Sequence, residues 1–328
     1  MKEAVLAARL LRAGVTALTL AVSAPASAQV PLAPDAAAPA DPDAVLVEEL
    51  VVTGRLPGPG WWRVSDADTT VYVLGVPSLA PKQMQWDRSV FARRLEGANV
   101  VILPFRPLKV KLAGAPRALV SYMRLKSHTP FEATLDPAAR ARFVSVRERL
   151  GQPAERYATR NALAAGVRLI GDYRDRAGLT DTDPVKLIRW MAQAAKVPVE
   201  QKSYDLAPLL AAVARTPPAA GRVCFETALR EAEAGPEAVR EAARAWAAAD
   251  VRAALSAERS YELCLAGAPG AAVFDARTKS DQVAAIVRAL GRPGHAIAVV
   301  QLRPLLSQGG VLDRLRAQGF TVKTPGEL

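Results

Sequence analysis

The chain has 328 residues, enough for one large domain or two small ones, and half of them are hydrophobic, which is sufficient for a packed core. Aromatic residues make up only 5%, so we expect a core of Ala, Leu and Val side chains on helices. The formal net charge is +11, but Arg is scattered among Glu and Asp without a compact basic block. With no nucleic-acid-binding motif present, this pattern argues against a nucleic-acid partner.

Residues 1–28 have the organisation of a secretory signal peptide. A basic start (Lys2, Arg9, Arg12) precedes the apolar run Ala13–Val22, and small residues end at Ala28. The apolar run is too short to span a bilayer, so we expect no integral membrane span after cleavage near Ala28. About +9 of the net charge then remains on residues 29–328. The sequence therefore predicts a periplasmic or secreted protein.

The segment 29–57 is predicted to be an Ala/Pro-rich linker with one short strand. Within it, Val47–Arg55 (VEELVVTGR) resembles the TonB box of outer-membrane receptors, which would imply docking of Val47–Thr53 to an unknown envelope protein by strand addition. The other interpretation is an edge strand, because the Pro/Gly-rich turn 56–60 follows directly. We favour the edge strand.

The stretch Trp61–Pro81 reads as a strand that leads into a candidate site. An aromatic pair and a polar turn, Ser65–Asp68, precede β-branched and aromatic residues from Thr69 to Leu74, and Gly75 breaks the run. In α/β folds, chemistry is usually found in the loop that follows a strand. Residues Gly75–Ser78 are therefore the first candidate site.

The rest of the chain alternates predicted helices with a few predicted strands. The apolar spacing predicts helices over 89–95, 115–126, 136–150, 154–165, 184–195, 205–214, 222–234, 236–248, 271–290 and 310–318. Extended segments are predicted over 99–103, 197–204, 296–302 and 320–323. Asp136, followed by Pro137, is the expected cap of its helix. Residues 58–328 are thus predicted to form one α/β domain, a central sheet with many flanking helices.

The only two cysteines are Cys224 and Cys264. In an exported chain two cysteines usually pair, whereas two thiols without a nearby His are too few for a zinc site. We predict a structural disulfide between two helices, worth roughly 3–4 kcal/mol for a loop of about 40 residues.

Several segments resemble the TraB/GumN family, which includes the Tiki-type proteases. The resemblance covers roughly residues 60–325 and is carried by the Trp62-Arg63-Val64 segment, Leu135-Asp136-Pro137, Trp246 with Asp250-Val251, and the ending at Gly310-Val311-Leu312. It implies a Tiki-like α/β fold and, for the family, a divalent metal and hydrolytic activity.

The residues that this resemblance assigns to the metal site are replaced. The replacements are Ser78 for the His after the first strand, Pro104 for a Glu, Lys202-Ser203 for Glu-Thr, Thr278-Lys279 for the Asn after Arg277, and Pro304 for the second His. A hydrolytic metal site needs about three protein ligands and a bound water, and proline has no donor side chain. We therefore expect no cofactor or metal, and a non-catalytic protein that binds an unknown envelope protein or peptide. The alternative is a metal-dependent hydrolase or peptidase with relocated ligands.

The sequence gives less support to catalytic sites built from the two histidines. His295 precedes the strand that Pro304 follows, which separates them by about 25–30 Å of extended chain. The other arrangement considered is a nucleophilic set of Ser78, His128 and one of Asp66, Asp68 or Asp87, and it is disfavoured because no nucleophile-elbow sequence surrounds Ser78. Asp66 and Asp68 are better explained as turn residues that bind backbone groups.

Overall fold

A computed structural model describes residues 41–105, 109–257 and 259–328. The predicted signal peptide and the first part of the predicted linker lie outside these residues. The eight strands of this part of the chain are β1 (Trp61–Ser65), β2 (Thr69–Val76), β3 (Ala80–Pro81), β4 (Ala98–Ile102), β5 (Leu179–Thr180), β6 (Val199–Glu200), β7 (Gly294–Gln301) and β8 (Thr321–Lys323).

Thirteen α-helices accompany the strands in the same residues. They are α1 (Ser89–Leu95), α2 (Ala115–Leu125), α3 (Pro137–Arg149), α4 (Ala162–Arg176), α5 (Asp183–Ala194), α6 (Ala207–Val213), α7 (Pro218–Ala234), α8 (Glu237–Ala247), α9 (Val251–Ala254), α10 (Ser260–Ala266), α11 (Ala271–Leu290), α12 (Leu302–Leu306) and α13 (Val311–Ala317). The predicted α/β class is confirmed, and the first and longest predicted helices (89–95 and 271–290) have the expected bounds.

Six strands form one mixed sheet in the order β6-β4-β7-β2-β1-β8. Strands β6, β4, β7 and β2 run parallel, while β1 is antiparallel to both β2 and β8. The β1–β2 hairpin is closed as the sequence predicts, because an Asp66 carboxylate oxygen accepts from the amides of Asp68 (3.3 Å) and Thr69 (2.9 Å). Four parallel strands therefore end at the same edge of the sheet, here called the carboxyl edge.

The sheet lies inside the main hydrophobic core. Ala296–Val300 of β7 are buried without interruption, which is the pattern of a parallel strand covered on both faces. Helix α11 packs across β2, β4 and β7. The aromatic pair Trp61 and Trp62 is also almost completely buried, so it belongs to this core.

A second hydrophobic cluster is built mainly from helices α3, α4, α7 and α10. Helices α4 and α7 approach closely at Gly166, where a Cβ would lie 2.9 Å from the Cys224 sulfur. The sulfurs of Cys224 and Cys264 are at disulfide distance, 2.18 Å apart, and join α7 to α10.

One predicted helix is misplaced. Instead of a helix over 154–165, the chain forms a short 3-10 turn, Ala154–Tyr157, and then α4 from Ala162. The Asn161 side chain accepts from the Ala164 amide at 3.0 Å and caps the new helix, which explains the break. The two glycines of α4, Gly166 and Gly171, lowered its helical signal in the sequence.

The segment 41–57 packs against the domain, although the sequence assigned it to a linker. Glu48–Leu50 form a 3-10 turn instead of the expected edge strand. Leu50 is fully buried, and the Trp62 indole donates to its carbonyl at 3.2 Å. The burial of Leu50 explains the difference, since a side chain in the core fixes the chain locally.

None of the helices in the described part of the chain has the length and apolar character needed to cross a membrane.

Candidate functional site

The carboxyl edge brings together the strand ends that precede the motif positions. Gly75 pairs with Val300 between β2 and β7, and Ile102 pairs with Ala298 and with Glu200. The segments that continue from these strand ends carry Ser78, Pro104 and Lys202 in loops and Pro304 in α12. The topology therefore gives all four positions the same side of the sheet.

Gly75 is a packing point at this edge. A Cβ at Gly75 would lie 2.5 Å from a methyl group of Leu302 and 3.0 Å from the Trp62 ring, so a larger residue cannot fit without displacement. The Gly75 carbonyl accepts a hydrogen bond of 2.6 Å from the buried indole of Trp246 on α8. Trp246 also packs edge-to-face on Trp86, with ring centroids 5.5 Å apart. The corner is thus held by aromatic packing, with the buried Trp246 as its anchor in the core.

The two prolines contribute no side-chain donor to the edge. The Pro104 carbonyl accepts from the Gln201 amide nitrogen at 2.5 Å, which ties the end of β4 to the end of β6. Pro304 lies in α12, and its carbonyl packs against Gly310, where a Cβ would lie only 2.6 Å away. Ser78 is partly buried in the loop between β2 and β3.

Ion pairs occupy the edge where α11 passes the ends of β6 and β7. The Lys202 ammonium lies 2.7 Å from one Asp281 oxygen, and the Tyr204 hydroxyl donates to the other at 2.6 Å. Burial opposes the charge on Asp281, but the hydrogen bonds from Lys202 and Tyr204 outweigh it and lower the Asp281 pKa. Arg277 lies 4.0 Å from the same carboxylate. Lys202 thus provides a cation where the family resemblance leads one to expect a carboxylate.

A second group of ion pairs is centred on Lys279, whose side chain is 3% exposed. Its ammonium lies 2.7 Å from Asp43 and 2.8 Å from Asp275. Burial raises the Asp275 pKa despite the hydrogen bond from Lys279. Arg259 contacts Asp43 at 3.7 Å and also pairs with Asp41. Two carboxylates from the segment before the family-like domain therefore neutralise cations at this edge.

The N-terminal segment is fastened beside Pro304. The Val47 amide donates to the Leu306 carbonyl at 2.9 Å, and the Gln308 amide donates to the Val45 carbonyl at 2.8 Å. Leu46 and Ser307 form an antiparallel bridge. Segment 41–50 therefore covers the chain that follows β7, the place where the resemblance puts the second His ligand.

An aromatic cluster borders the ion pairs. Phe105, Tyr204 and Phe274 meet edge-to-face, with ring centroids 5.3–6.1 Å apart. Burial, followed by the hydrogen bond to Asp281, raises the Tyr204 pKa well above its ordinary range. Tyr204 is therefore a neutral hydrogen-bond donor at this edge.

The donor set does not fit a catalytic divalent metal. Within residues 41–105, 109–257 and 259–328, no group of three or more His, Cys, Asp or Glu side chains is positioned to hold an ion. The carboxylates of Asp43, Asp275 and Asp281 are each engaged by a Lys or Arg, so a metal would have to displace a cation.

The histidines do not complete another catalytic set. His295 pairs with Thr70 at the start of β7, the opposite end of the sheet, as the sequence predicts, and its Nε2 is 2.9 Å from the Arg94 carbonyl. Asp66 and Asp68 lie in the turn before β2, whereas Ser78 follows its other end, eight residues or about 25 Å of strand away. Asp87 accepts from the Ser89 amide at the start of α1. His128 is exposed in the loop after α2.

The sequence did not predict which residues form the ion pairs and hydrogen bonds at the carboxyl edge. These residues are Asp41, Asp43, Tyr204, Asp275 and Asp281. Asp43 and Lys279 are 236 positions apart, so no local spacing could join them. The one available signal was the i, i+4 spacing of Asp275, Lys279 and of Arg277, Asp281 on α11.

The fold is that of a mixed α/β protein in which the candidate site lies at the carboxyl ends of the parallel strands. A sequence model of the TraB/PrgY/gumN family matches residues 60–324, about four-fifths of the chain, and the protein belongs to this family. The resemblance drawn from its motifs is thereby confirmed. No curated protein and no solved structure gave a significant match to the chain.

Proposed function

We propose that this protein is an exported, non-catalytic member of the TraB/PrgY/gumN family that acts in the periplasm by binding an envelope protein or peptide. The observation that carries the proposal is the replacement of the expected ligands by ion pairs. Lys202 and Lys279 stand at the carboxyl edge and bind Asp281, Asp43 and Asp275, while Pro104 and Pro304 provide no donor side chain.

The arrangement favours binding over hydrolysis for an electrostatic reason. A metal-bound water becomes a nucleophile at neutral pH only when the ion is held by several anionic or imidazole ligands. Ammonium groups at the same edge repel a divalent cation and attract carboxylates instead. Half-exposed Lys202 and the more exposed Arg277 are available to an acidic group of a bound peptide.

The test is peptide hydrolysis by the purified chain from residue 29 onward, with and without a chelator, in the presence of zinc, manganese or cobalt. We expect no chelator-sensitive cleavage of an unstructured peptide library. Metal-dependent cleavage that survives repurification would contradict the proposal and support the alternative of a hydrolase with relocated ligands. Asp281→Asn and Asp275→Asn would then show whether the ion-paired carboxylates are the missing ligands.

A further inference from the structure

Helix α2 turns small residues towards the protein and large apolar residues towards solvent, the opposite of an ordinary surface helix. The positions that face the protein are Gly114, Ala118, Ser121 and Leu125, at helical spacing, and they include no large side chain that is fully buried. In contrast, Leu119 is 62% exposed and Met123 is 60% exposed. A helix that merely covers a core would turn these two residues inward.

The inward face is small because another helix approaches it closely. Helix α2 packs on α6, and a Cβ at Gly114 would lie 2.8 Å from Ala207 and 2.5 Å from an Asp205 oxygen. The Ser121 hydroxyl is satisfied locally by the Arg117 carbonyl at 2.8 Å. The orientation of α2 is therefore fixed by tight contacts, and its apolar side chains remain outside as a consequence.

The outward face forms a continuous apolar strip. Leu112, in the 3-10 turn just before α2, is 92% exposed. Leu119 and Met123 are spaced i, i+4 and share one side of α2, with Val120 and Tyr122 half-exposed on either flank. We call these five residues the outward face of α2.

Exposed basic side chains precede, interrupt and follow this face along the chain. Residues 97–131 contain no Asp or Glu, but six Lys or Arg. Five of the six lie in the described part of the chain and all five are exposed: Lys109, Lys111, Arg117, Arg124 and Lys126. The nearby Asp205 carboxylate is engaged by the amides of Lys111 and Ala207, each at 3.1 Å. The surroundings are thus complementary to an anionic partner.

We infer that the outward face of α2 is a peripheral docking site for an anionic lipid bilayer. Leucine, methionine and valine on one side of a helix, with tyrosine and Lys/Arg at its border, is the composition of helices that lie in the membrane interface. The acyl boundary would receive Leu112, Leu119 and Met123, and the headgroup phosphates would meet Arg117 and Arg124.

Vesicle flotation tests this inference with the chain from residue 29 onward. We expect the protein to float with vesicles of phosphatidylglycerol and phosphatidylethanolamine, and not with vesicles of phosphatidylcholine alone. Leu119→Ser with Met123→Ser is expected to lower binding about tenfold or more. The matched control, Val223→Ser with Val273→Ser, removes two equally exposed apolar side chains from α7 and α11 and should leave binding unchanged.

The charge requirement is tested separately. Arg117→Glu with Arg124→Glu should abolish flotation, whereas Arg222→Glu with Arg292→Glu, at exposed positions on other elements, should reduce it far less. Thermal unfolding of every variant checks that the fold persists. The inference is overturned if the wild type does not float, or if the Leu119/Met123 variant floats like the wild type. It is also overturned if analytical ultracentrifugation shows that this variant disperses a dimer while lipid binding is absent, which would assign the face to a second copy.

Discussion

At the scale of single residues, Ala249 has a backbone conformation that favours glycine. Ala249 lies between α8 and α9 and has a left-handed φ of 58°. Its carbonyl accepts from the Gly54 amide at 3.1 Å, and Gly54 leaves room for its methyl group. An L-residue in this region costs about 1–2 kcal/mol, so strain is stored here.

We therefore expect Ala249→Gly to stabilise the protein, because glycine adopts this φ without steric cost. The gain in the free energy of unfolding should be up to about 1 kcal/mol, since glycine also raises the entropy of the unfolded chain. Chemical denaturation measures it. Ala141→Gly, in the exposed middle of α3, should instead destabilise by about 1 kcal/mol. Destabilisation by both changes would disprove the strain at Ala249.

Asp281 gives the carboxyl edge a defined response to acid. Its folded-state pKa is lowered, so the stability that it contributes is present above the ordinary Asp pKa and is lost as the pH falls through the depressed value. Asp281→Asn should remove this part of the acid dependence and cost about 1 kcal/mol at neutral pH, a modest figure because Lys202 is half-exposed.

Unfolding curves between pH 7 and acid, for wild type and Asp281→Asn, measure this effect. Asp181→Asn, at an exposed position before α5, is the control, because it removes a carboxylate and keeps the pair of Asp281 with Lys202. Parallel profiles for wild type and Asp281→Asn would show that the pair with Lys202 is not formed in solution.

At the scale of elements, Leu50 and Val51 anchor the segment 41–57 in the core. Leu50 contacts the main hydrophobic cluster and is fully buried, so Leu50→Ala should lower the free energy of unfolding by about 2–5 kcal/mol. Val45→Ala, at a 59% exposed position of the same segment, should change it by less than about 0.5 kcal/mol. Equal, small effects in calorimetry would mean that the segment detaches, as strand addition to a partner through Val47–Thr53 requires.

The elements also show what local sequence determines. Asp136 accepts from the amides of Ala138 and Ala139 at 3.0 Å, so a cap followed by proline was enough to place the start of α3. The continuous apolar run of β7 and the spacing of α11 were equally informative. Helix α4 was misplaced because its cap, Asn161, follows a stretch that itself has helical spacing, and because Gly166 is favoured by the close approach of α7.

At the scale of the whole molecule, the sequence predicted where the candidate site lies but not which side chains pair there. The parallel strands β2, β4 and β7, which precede Ser78, Pro104 and Pro304, share an edge once the βαβ order is recognised. The pairing of Lys279 with Asp43, and of Lys202 with Asp281, depends on where helices dock, which no spacing in the chain encodes. Asp43 lies outside the family match, so the family pattern could not indicate it either.

The protein thus has the family fold, and residues 41–50 pack against the carboxyl edge of its sheet. Asp41 and Asp43 neutralise Arg259 and Lys279, and the pairing of Val45–Val47 with Leu306–Gln308 fixes the segment beside Pro304. Removing one partner of a buried ion pair is costly because the remaining charge stays unpaired. The edge is therefore maintained as a structural ion-pair network.

The metal content of the purified protein is the most direct test of whether the carboxyl edge binds a metal ion. The purified chain, dialysed against equimolar zinc, manganese and cobalt and then against metal-free buffer, is analysed by inductively coupled plasma mass spectrometry. We predict far less than one metal ion per chain, because the carboxylates of the carboxyl edge are already paired with lysine side chains. One tightly held metal per chain, lost in Asp281→Asn or Asp275→Asn, would contradict the account.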